Sequence, residues 1–448
     1  MNHRVSTHFA ISSLLLSLAM ASTATASELE DYDRCADLEE DAISLTQLWQ
    51  SSIDVEPGYD AAEQERLAEQ AHRRSIDRER YPGVDIHAEG DGGKRVSPGA
   101  ERDQGVSARA NMGATLDWLL YDSARQPRRS EADLRVQQQQ AASEAFDAEH
   151  RARISRAYTE AAYEEARHHL LQQQAQELDE LADIVERRID AGVEGEYEAR
   201  ILAEAIAGIE RQVAEARRNR QASIVELSAT VGQCATPARK AFDVPIDDTT
   251  SPGLAIPDDS PTLRSLRLQA QTMDAASELS EADGRLQIFG VGSTSMYLSP
   301  AYDNLPEPEY FAGVAGRFRP DLRGSRSQRA QSESYRARAL ELEAQSLQRQ
   351  LHRHHQQLRR EQDDLSQRLD ELDVHLERTE ERVDITYRRW EQGVEQWIDV
   401  VDARSDRQEL LLERMELHRE VTHSMIDYAE LSGDFQPFRQ WMQQFETP

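Results

Sequence analysis

Asp399 and Asp402 stand three residues apart, a spacing that puts two carboxylates on one face of a helix, and they follow closely on Gly393. Acids grouped around a pore favour cations and bind divalent ions. The plainer reading is that Asp399 opens a helix, where the dipole favours an acid. Other residues with chemical potential are less organised. His168-His169 and His352-Arg353-His354-His355 invite a metal, but no acid or cysteine completes a ligand set, and they read as solvated faces of long helices. Gly290-x-Gly292 lacks the strand-to-helix setting of a nucleotide loop. No Ser-His-Asp or paired-carboxylate arrangement suggests catalysis, so the expectation is a protein with no catalytic residues, no metal site and no cofactor. Cys35 and Cys234 are the only cysteines. They lie where the first half of the chain begins and ends, and both a bridge and two unpaired thiols fit the sequence.

The elements that place these residues come in two copies. Arg187-Arg188-x-x-x-Gly192-Val193-Glu194 returns 201 residues later as Arg388-Arg389-x-x-x-Gly393-Val394-Glu395. Arg125 matches Arg326, Arg135 matches Arg336, Arg218 matches Arg419, and Gly232 matches Gly433, all without a gap. Residues 124–191 hold no Gly, and no Pro beyond Pro127; residues 325–391 hold neither. Each predicts a helix of about 100 Å. After the turn glycine a second helix of about 50 Å runs to Gly232 or Gly433, each in the place of a helix stop. Before each long helix lies a strand pair, at 84–89 and about 105–121 in the first copy and at 285–298 and 309–320 in the second. The clearest is 106–120: Val106, Ala108, Ala110, Met112, Ala114, Leu116, Trp118 and Leu120 alternate with Ser107, Arg109, Asn111, Gly113, Thr115 and Asp117. That period of two describes a long two-faced strand, suited to a membrane barrel or to a hairpin on a soluble core.

The predicted order is therefore a signal peptide over 1–26, a first repeat over 27–234, a proline-rich linker over 235–261, a second repeat over 262–434 and a tail over 435–448. Phe9 to Ala21 is apolar and Ala24-Thr25-Ala26 offers a cleavage site, which addresses the chain for export. No later run is apolar enough for a membrane helix, so entry into a membrane would require strands. Formal net charge is −31, and Lys94 and Lys240 are the only lysines among 52 basic residues; this acidity argues against nucleic acid as a partner. Four strands and two helical hairpins close neither a barrel nor a tunnel, and exposed sheet edges are forbidden in lipid. Oligomerisation supplies the rest.

With these features the chain resembles the TolC-like outer-membrane efflux protein family. Arg188-x-x-Ala191-Gly192 and Tyr387-x-x-Trp390-x-x-Gly393 are similar to the family's turn, and Gly393 followed by Asp399-Val400-Val401-Asp402-Ala403 is similar to its helix start. The resemblance covers about residues 36–434. It implies a mostly α fold with a small β part, in which a homotrimer joins long helical hairpins into a periplasmic tunnel and four strands per chain into a twelve-stranded outer-membrane barrel. It further implies a passive duct contacting outer-membrane lipid and serving a tripartite efflux pump or type I secretion system. A periplasmic membrane-fusion adaptor and an inner-membrane pump or ABC exporter would dock at the tip turns, Gly192, Val193, Gly393 and Val394. Asp399, Asp402 and, in the first copy, Glu198 would form the gate. The best-known member has Tyr and Arg where this chain has Trp390 and Glu395, so the gate lock would differ, with Arg388, Arg389, Trp390 and Glu395 as candidates. A soluble periplasmic coiled-coil adaptor or scaffold, and a periplasmic metal-binding protein, are the alternative readings.

Overall fold

The computed structural model describes Cys35 and residues 43–93, 107–192, 196–237, 260–298 and 309–446. The expected signal peptide and most of the expected linker lie outside the described residues. The helices are α1 (Leu45–Ile53), α2 (Pro57–Arg78), α3 (Arg125–Asp190), α4 (Glu196–Val231), α5 (Pro261–Ala282), α6 (Ser325–Glu391), α7 (Trp397–Ser432) and α8 (Gln436–Glu446). The strands are β1 (Gly83–Gly93), β2 (Ser107–Asp122), β3 (Leu286–Leu298) and β4 (Glu309–Phe318). Among the described residues the chain is mostly α with one small sheet, and it forms two compact units.

One unit comprises Asp60–Ala145 and Asp258–Gln350. Its sheet is antiparallel throughout in the order β1-β2-β3-β4. Register sorts the side chains, because residues directly opposite in a ladder share a face. Ile86, Ala114, Thr294 and Tyr310 form one row, and Val84, Leu116, Gly292 and Ala312 the next. His87, Gly113, Ser295 and Glu309 cross the opposite face. On the apolar face Ile86 is 81 % and Val314 74 % exposed. On the opposite, polar face Gly113 is needed: a Cβ would sit 2.7 Å from the Thr294 carbonyl and 2.9 Å from the His87 ring. Beside the sheet, α2 packs on α3 through Gln139–Glu65 at 2.6 Å, and Glu79, just past the end of α2, receives Arg128 at 2.8 Å. The second copy has α5 on α6, where Ser277 donates to the Ala330 carbonyl at 2.9 Å.

The other unit comprises residues up to Tyr59, Phe146–Pro257 and Leu351–Pro448. Its main core joins α1, α3, α4, α6, α7 and α8 around Leu48, Ile154, Tyr158, Leu227, Ile426 and Phe438. Ser44 and Gln47 cap α1 reciprocally, the Ser44 N–H reaching Gln47 Oε1 at 3.1 Å and the Gln47 N–H reaching Ser44 Oγ at 3.4 Å. This fixes the start of a helix that delivers Leu45, Leu48 and Trp49 inward. Cys35 and Cys234 are bonded to each other. The strap they anchor is held further by the Ile43 N–H on the Thr236 carbonyl at 3.1 Å and by Gln233 on Ser51 at 2.7 Å. Residues after Gly433, expected as a tail, instead form α8, because Phe438, Trp441 and Met442 share one helical face and bury it. Phe435 meets Trp49 edge-on at 5.5 Å and Phe438 lies tilted to it at 6.2 Å, so α8 closes on α1.

Along α6 burial recurs every seventh residue, at Ala330, Ala337, Ala344, Leu351, Leu358, Leu365, Leu372, Thr379 and Thr386. A second series runs His355, Gln362, Leu369, Leu376, Val383 and Trp390. A strict seven-residue seam over so many turns is that of a coiled coil, and the mismatch with 3.6 residues per turn winds it left-handed.

Candidate gate at the hairpin turns

Both long helices end the same way. Gly192 has φ +74° and Gly393 φ +71°, a left-handed conformation that glycine adopts without the cost a Cβ brings. At the second turn the Gly393 N–H reaches the Trp390 carbonyl at 2.9 Å and the Val394 N–H reaches the Arg389 carbonyl at 2.9 Å. Those two bonds are the paired stop that satisfies the last carbonyls of a helix. The Gly192 N–H makes the corresponding bond to Ile189 at 2.8 Å. Gly192, Gly393 and Val394 are exposed, Val394 to 72 %. Val193 and the side chain of Glu198 lie outside the described residues.

After the turn Gln396 caps α7, and its N–H donates to Asp399 Oδ2 at 3.1 Å. Asp399 is thus the third-residue acid of a capping pair as well as an exposed carboxylate. Asp402 is exposed on the same face and makes no part of the cap, while Trp397, Val400 and Ala403 turn inward.

Beneath the turns all four long helices share an apolar cluster of Leu181 and Val185 from α3, Leu202 from α4, Trp390 from α6, and Trp397 and Val400 from α7. The four lock candidates separate. Trp390 is only 1 % exposed and belongs to this cluster. Arg389 and Glu395 pair with each other at 3.0 Å across their own turn. Arg388 lies in solvent, 3.9 Å from Asp384, a pair worth little. A residue outside that set reaches between hairpins: the Arg188 guanidinium carbon lies 4.8 Å from the Trp390 ring centroid, and its Nη1 points at the Trp390 carbonyl at 3.5 Å. A cation there meets both the ring face and the negative end of α6. The signal for Arg188 was present in the repeated Arg-Arg motif; its direction was not.

The seam between α3 and α7 continues this contact. Arg404 donates to the Glu177 carbonyl at 3.1 Å and Arg407 lies 3.5 Å from the Glu177 carboxylate. Farther along, Arg419 pairs with Glu160 at 3.1 Å and Arg156 with Asp427 at 2.6 Å and with Glu430. Burial depresses the nearby histidines on α7: His418, with Arg414 adding repulsion, is lowered to about 4, and His423 is lowered as well. The histidine runs disperse, His355 being buried against Tyr428 at 5.8 Å while His354 is exposed. Among the described residues no helix is long and apolar enough to cross a membrane.

A four-stranded sheet with an apolar face, carried with two matched helical hairpins that stop on equivalent glycines, defines the class. Residues 50–233 match the model of the outer membrane efflux protein family. Nearly the whole chain shares its fold with solved outer-membrane channels. VceC of Vibrio cholerae is 15% identical, with a TM-score of 0.69 over 88% of this chain and 95% of that one. MtrE of Neisseria gonorrhoeae, solved in its open state, is 16% identical, with a TM-score of 0.68 over 88% and 90%. CmeC of Campylobacter jejuni is 13% identical, with a TM-score of 0.67 over 94% and 92%. At such identities the likeness is one of fold. No curated protein matches the sequence.

Proposed function

We propose that this protein is the outer-membrane exit duct of a tripartite efflux pump or type I secretion system, acting as a homotrimer that extends into the periplasm. The observation that carries the reading is the sheet. Its outer strands β1 and β4 stand at open edges, and one face carries exposed Ile86, Tyr310 and Val314. Such a sheet is stable in lipid only when its edges are paired. Three copies, each giving four strands, join edge to edge into one barrel, and the hairpins join into the tunnel wall. The duct does no chemistry of its own and is not an enzyme. Its turns, with exposed Val394, receive a periplasmic membrane-fusion adaptor and through it an inner-membrane pump or ABC exporter.

Asp399 and Asp402, with Glu198, are the proposed gate. Three copies bring six α7 carboxylates around one opening, where they favour cations and hold divalent ions. Asp402 gives the cleaner test, because Asp399 also caps a helix. In planar bilayers, Asp402→Asn is expected to raise resting conductance and weaken block by divalent cations. Unchanged conductance and unchanged divalent block would exclude Asp402 from the gate. Recovery of the full-length protein in the soluble periplasmic fraction would exclude the duct and favour a soluble scaffold.

A further inference from the structure

Closing the sheet into a ring sets the corners of two copies side by side. The strands alternate in direction, so β4 of one copy pairs antiparallel with β1 of the next. Phe318, the last residue of β4, then lies near Gly83, the first of β1, at the end of the sheet from which α3 and α6 depart. Each junction is bordered by residues 78–82, between α2 and β1, and by residues 319–324, between β4 and α6.

Both corners are basic, in a chain whose formal net charge is −31. Arg78, Arg80, Arg319 and Arg323 are exposed, and no acid among the described residues pairs with them; Arg80 donates to its neighbour, the Tyr81 hydroxyl, at 2.7 Å. The nearby acids are already engaged. Glu79 holds Arg128 at 2.8 Å, Asp283 lies 3.9 Å from the same arginine, and Asp77 lies 3.5 Å from Arg129. Asp321 opens α6, accepting the N–H groups of Ser325, Arg326 and Ser327 at 3.0, 2.9 and 3.1 Å. Arg317 is set apart, its guanidinium carbon 5.3 Å from the Phe289 ring centroid on the face opposite Phe318. Apolar side chains stand among these charges. Leu322 is 89 % exposed, Phe318 and Tyr81 are exposed as well, and the Trp118 indole N–H donates to the Arg80 carbonyl at 2.8 Å. Aromatic and aliphatic residues interleaved with cations suit the boundary between hydrocarbon and headgroups.

We propose that each junction between copies binds an anionic phospholipid of the periplasmic leaflet, its phosphate held by Arg319 and Arg323 of one copy and Arg80 of the next. Without it the junction gathers three cations with no free acid to offset them. A phosphate accepts the charge-assisted hydrogen bonds that guanidinium groups offer, as it does in basic pockets between transmembrane helices. The acyl chains lie along Phe318 and Val314 on the apolar face. The lipid thus fills the seam where the barrel closes and ties one copy to the next. The inference rests on the trimeric-duct reading.

The full-length protein tests it after insertion into vesicles of phosphatidylcholine with a minor share of phosphatidylglycerol. The protein is extracted in mild neutral detergent, and the lipid it retains is measured by mass spectrometry. Phosphatidylglycerol should be enriched at least about fivefold over its share in the vesicle, the factor that one arginine near a membrane surface supplies. Arg80→Gln/Arg319→Gln/Arg323→Gln should lose the enrichment. Arg349→Gln/Arg353→Gln/Arg360→Gln, which removes the same charge from exposed positions farther along α6, should keep it. In pure phosphatidylcholine the first variant should form the more stable trimer on a semi-native gel, because its like charges are gone. Wild-type protein that retains lipid in the proportions of the vesicle, or enrichment that survives the first triple substitution, overturns the inference while leaving the duct intact. So does a variant trimer that falls apart in pure phosphatidylcholine where the wild type holds, which would make these arginines a contact between proteins. Failure of the wild type to float with the vesicles overturns the duct reading, and the inference with it.

Discussion

Acidification should loosen the helical wall through His418. The imidazole is buried in the α7 packing beside Arg414, and the fold holds it neutral by lowering its pKa from 6.5 to about 4. In the unfolded chain it takes up a proton below pH 6.5, whereas the folded chain resists until about pH 4. Between those values the unfolded state binds more protons, so stability falls as pH falls. The interval corresponds to about 3 kcal/mol, at about 1.4 kcal/mol for each tenfold change in proton affinity. The loss is complete near pH 4, because below it both states are protonated. His150, His168 and His423 are shifted the same way by burial, so the wild-type profile alone does not isolate His418. The comparison that does is wild type against His418→Gln, unfolded by denaturant in detergent and followed by helical circular dichroism between pH 7.5 and 4. The variant should be less stable at pH 7.5 but should lose less on acidification, its profile flatter by about 3 kcal/mol. Parallel profiles for the two proteins would refute the assignment of a buried neutral imidazole.

Replacing Cys35 and Cys234 by Ser removes a link across 199 residues and should cost up to about 5 kcal/mol by the loop-entropy relation; an unchanged denaturation midpoint would contradict it. Gly393→Ala should cost about 1 kcal/mol at the turn through its positive φ, seen as faster amide exchange around Val394 with the rest of α7 unaffected. Trp441→Ala should destabilise the helical unit by about 3–5 kcal/mol through the cavity it leaves in the core, and a loss under 1 kcal/mol would mean that α8 is dispensable. Arg188→Lys, which keeps the charge but loses the planar stacking group, should weaken quenching of Trp390, read as the fluorescence difference between each protein and its Trp390→Phe counterpart; identical differences would speak against the Arg188–Trp390 contact.

Much of this fold is written in simple periods. The β2 alternation is legible because a strand with one apolar and one polar face must change polarity at every residue. The long helices are legible from the absence of glycine and proline, and their ends from Gly192, Gly232, Gly393 and Gly433, all with positive φ. Residues 436–446 were not legible as a packed helix, because Phe438, Trp441 and Met442 make sense only against Trp49 from the opposite end of the chain. Arg188 was hidden for another reason. It occupies the same motif as Arg389, yet one crosses to Trp390 and the other stays with Glu395, a difference set by neighbours that no local window contains. Asp399 and Asp402 share an exposed face, as their spacing predicts, and the bond from the Gln396 N–H to Asp399 agrees with the plainer reading of Asp399 as the acid that opens α7.

The seven-residue seam of α6 also limits how such a chain can change in length. Deleting one residue in mid-helix turns everything beyond it by about 100°, which carries Leu365, Leu372 and Val383 out of the seam and swings charged neighbours into it. Seven residues, two full turns within the supercoil, is the smallest insertion that leaves the pattern intact. Because α4 and α7 each have 36 residues and α3 and α6 have 66 and 67, an insertion in one arm also needs a match in the other three to keep the two turns level. Drift in these hairpins is therefore confined to substitution, and growth comes only in heptads matched across all four arms.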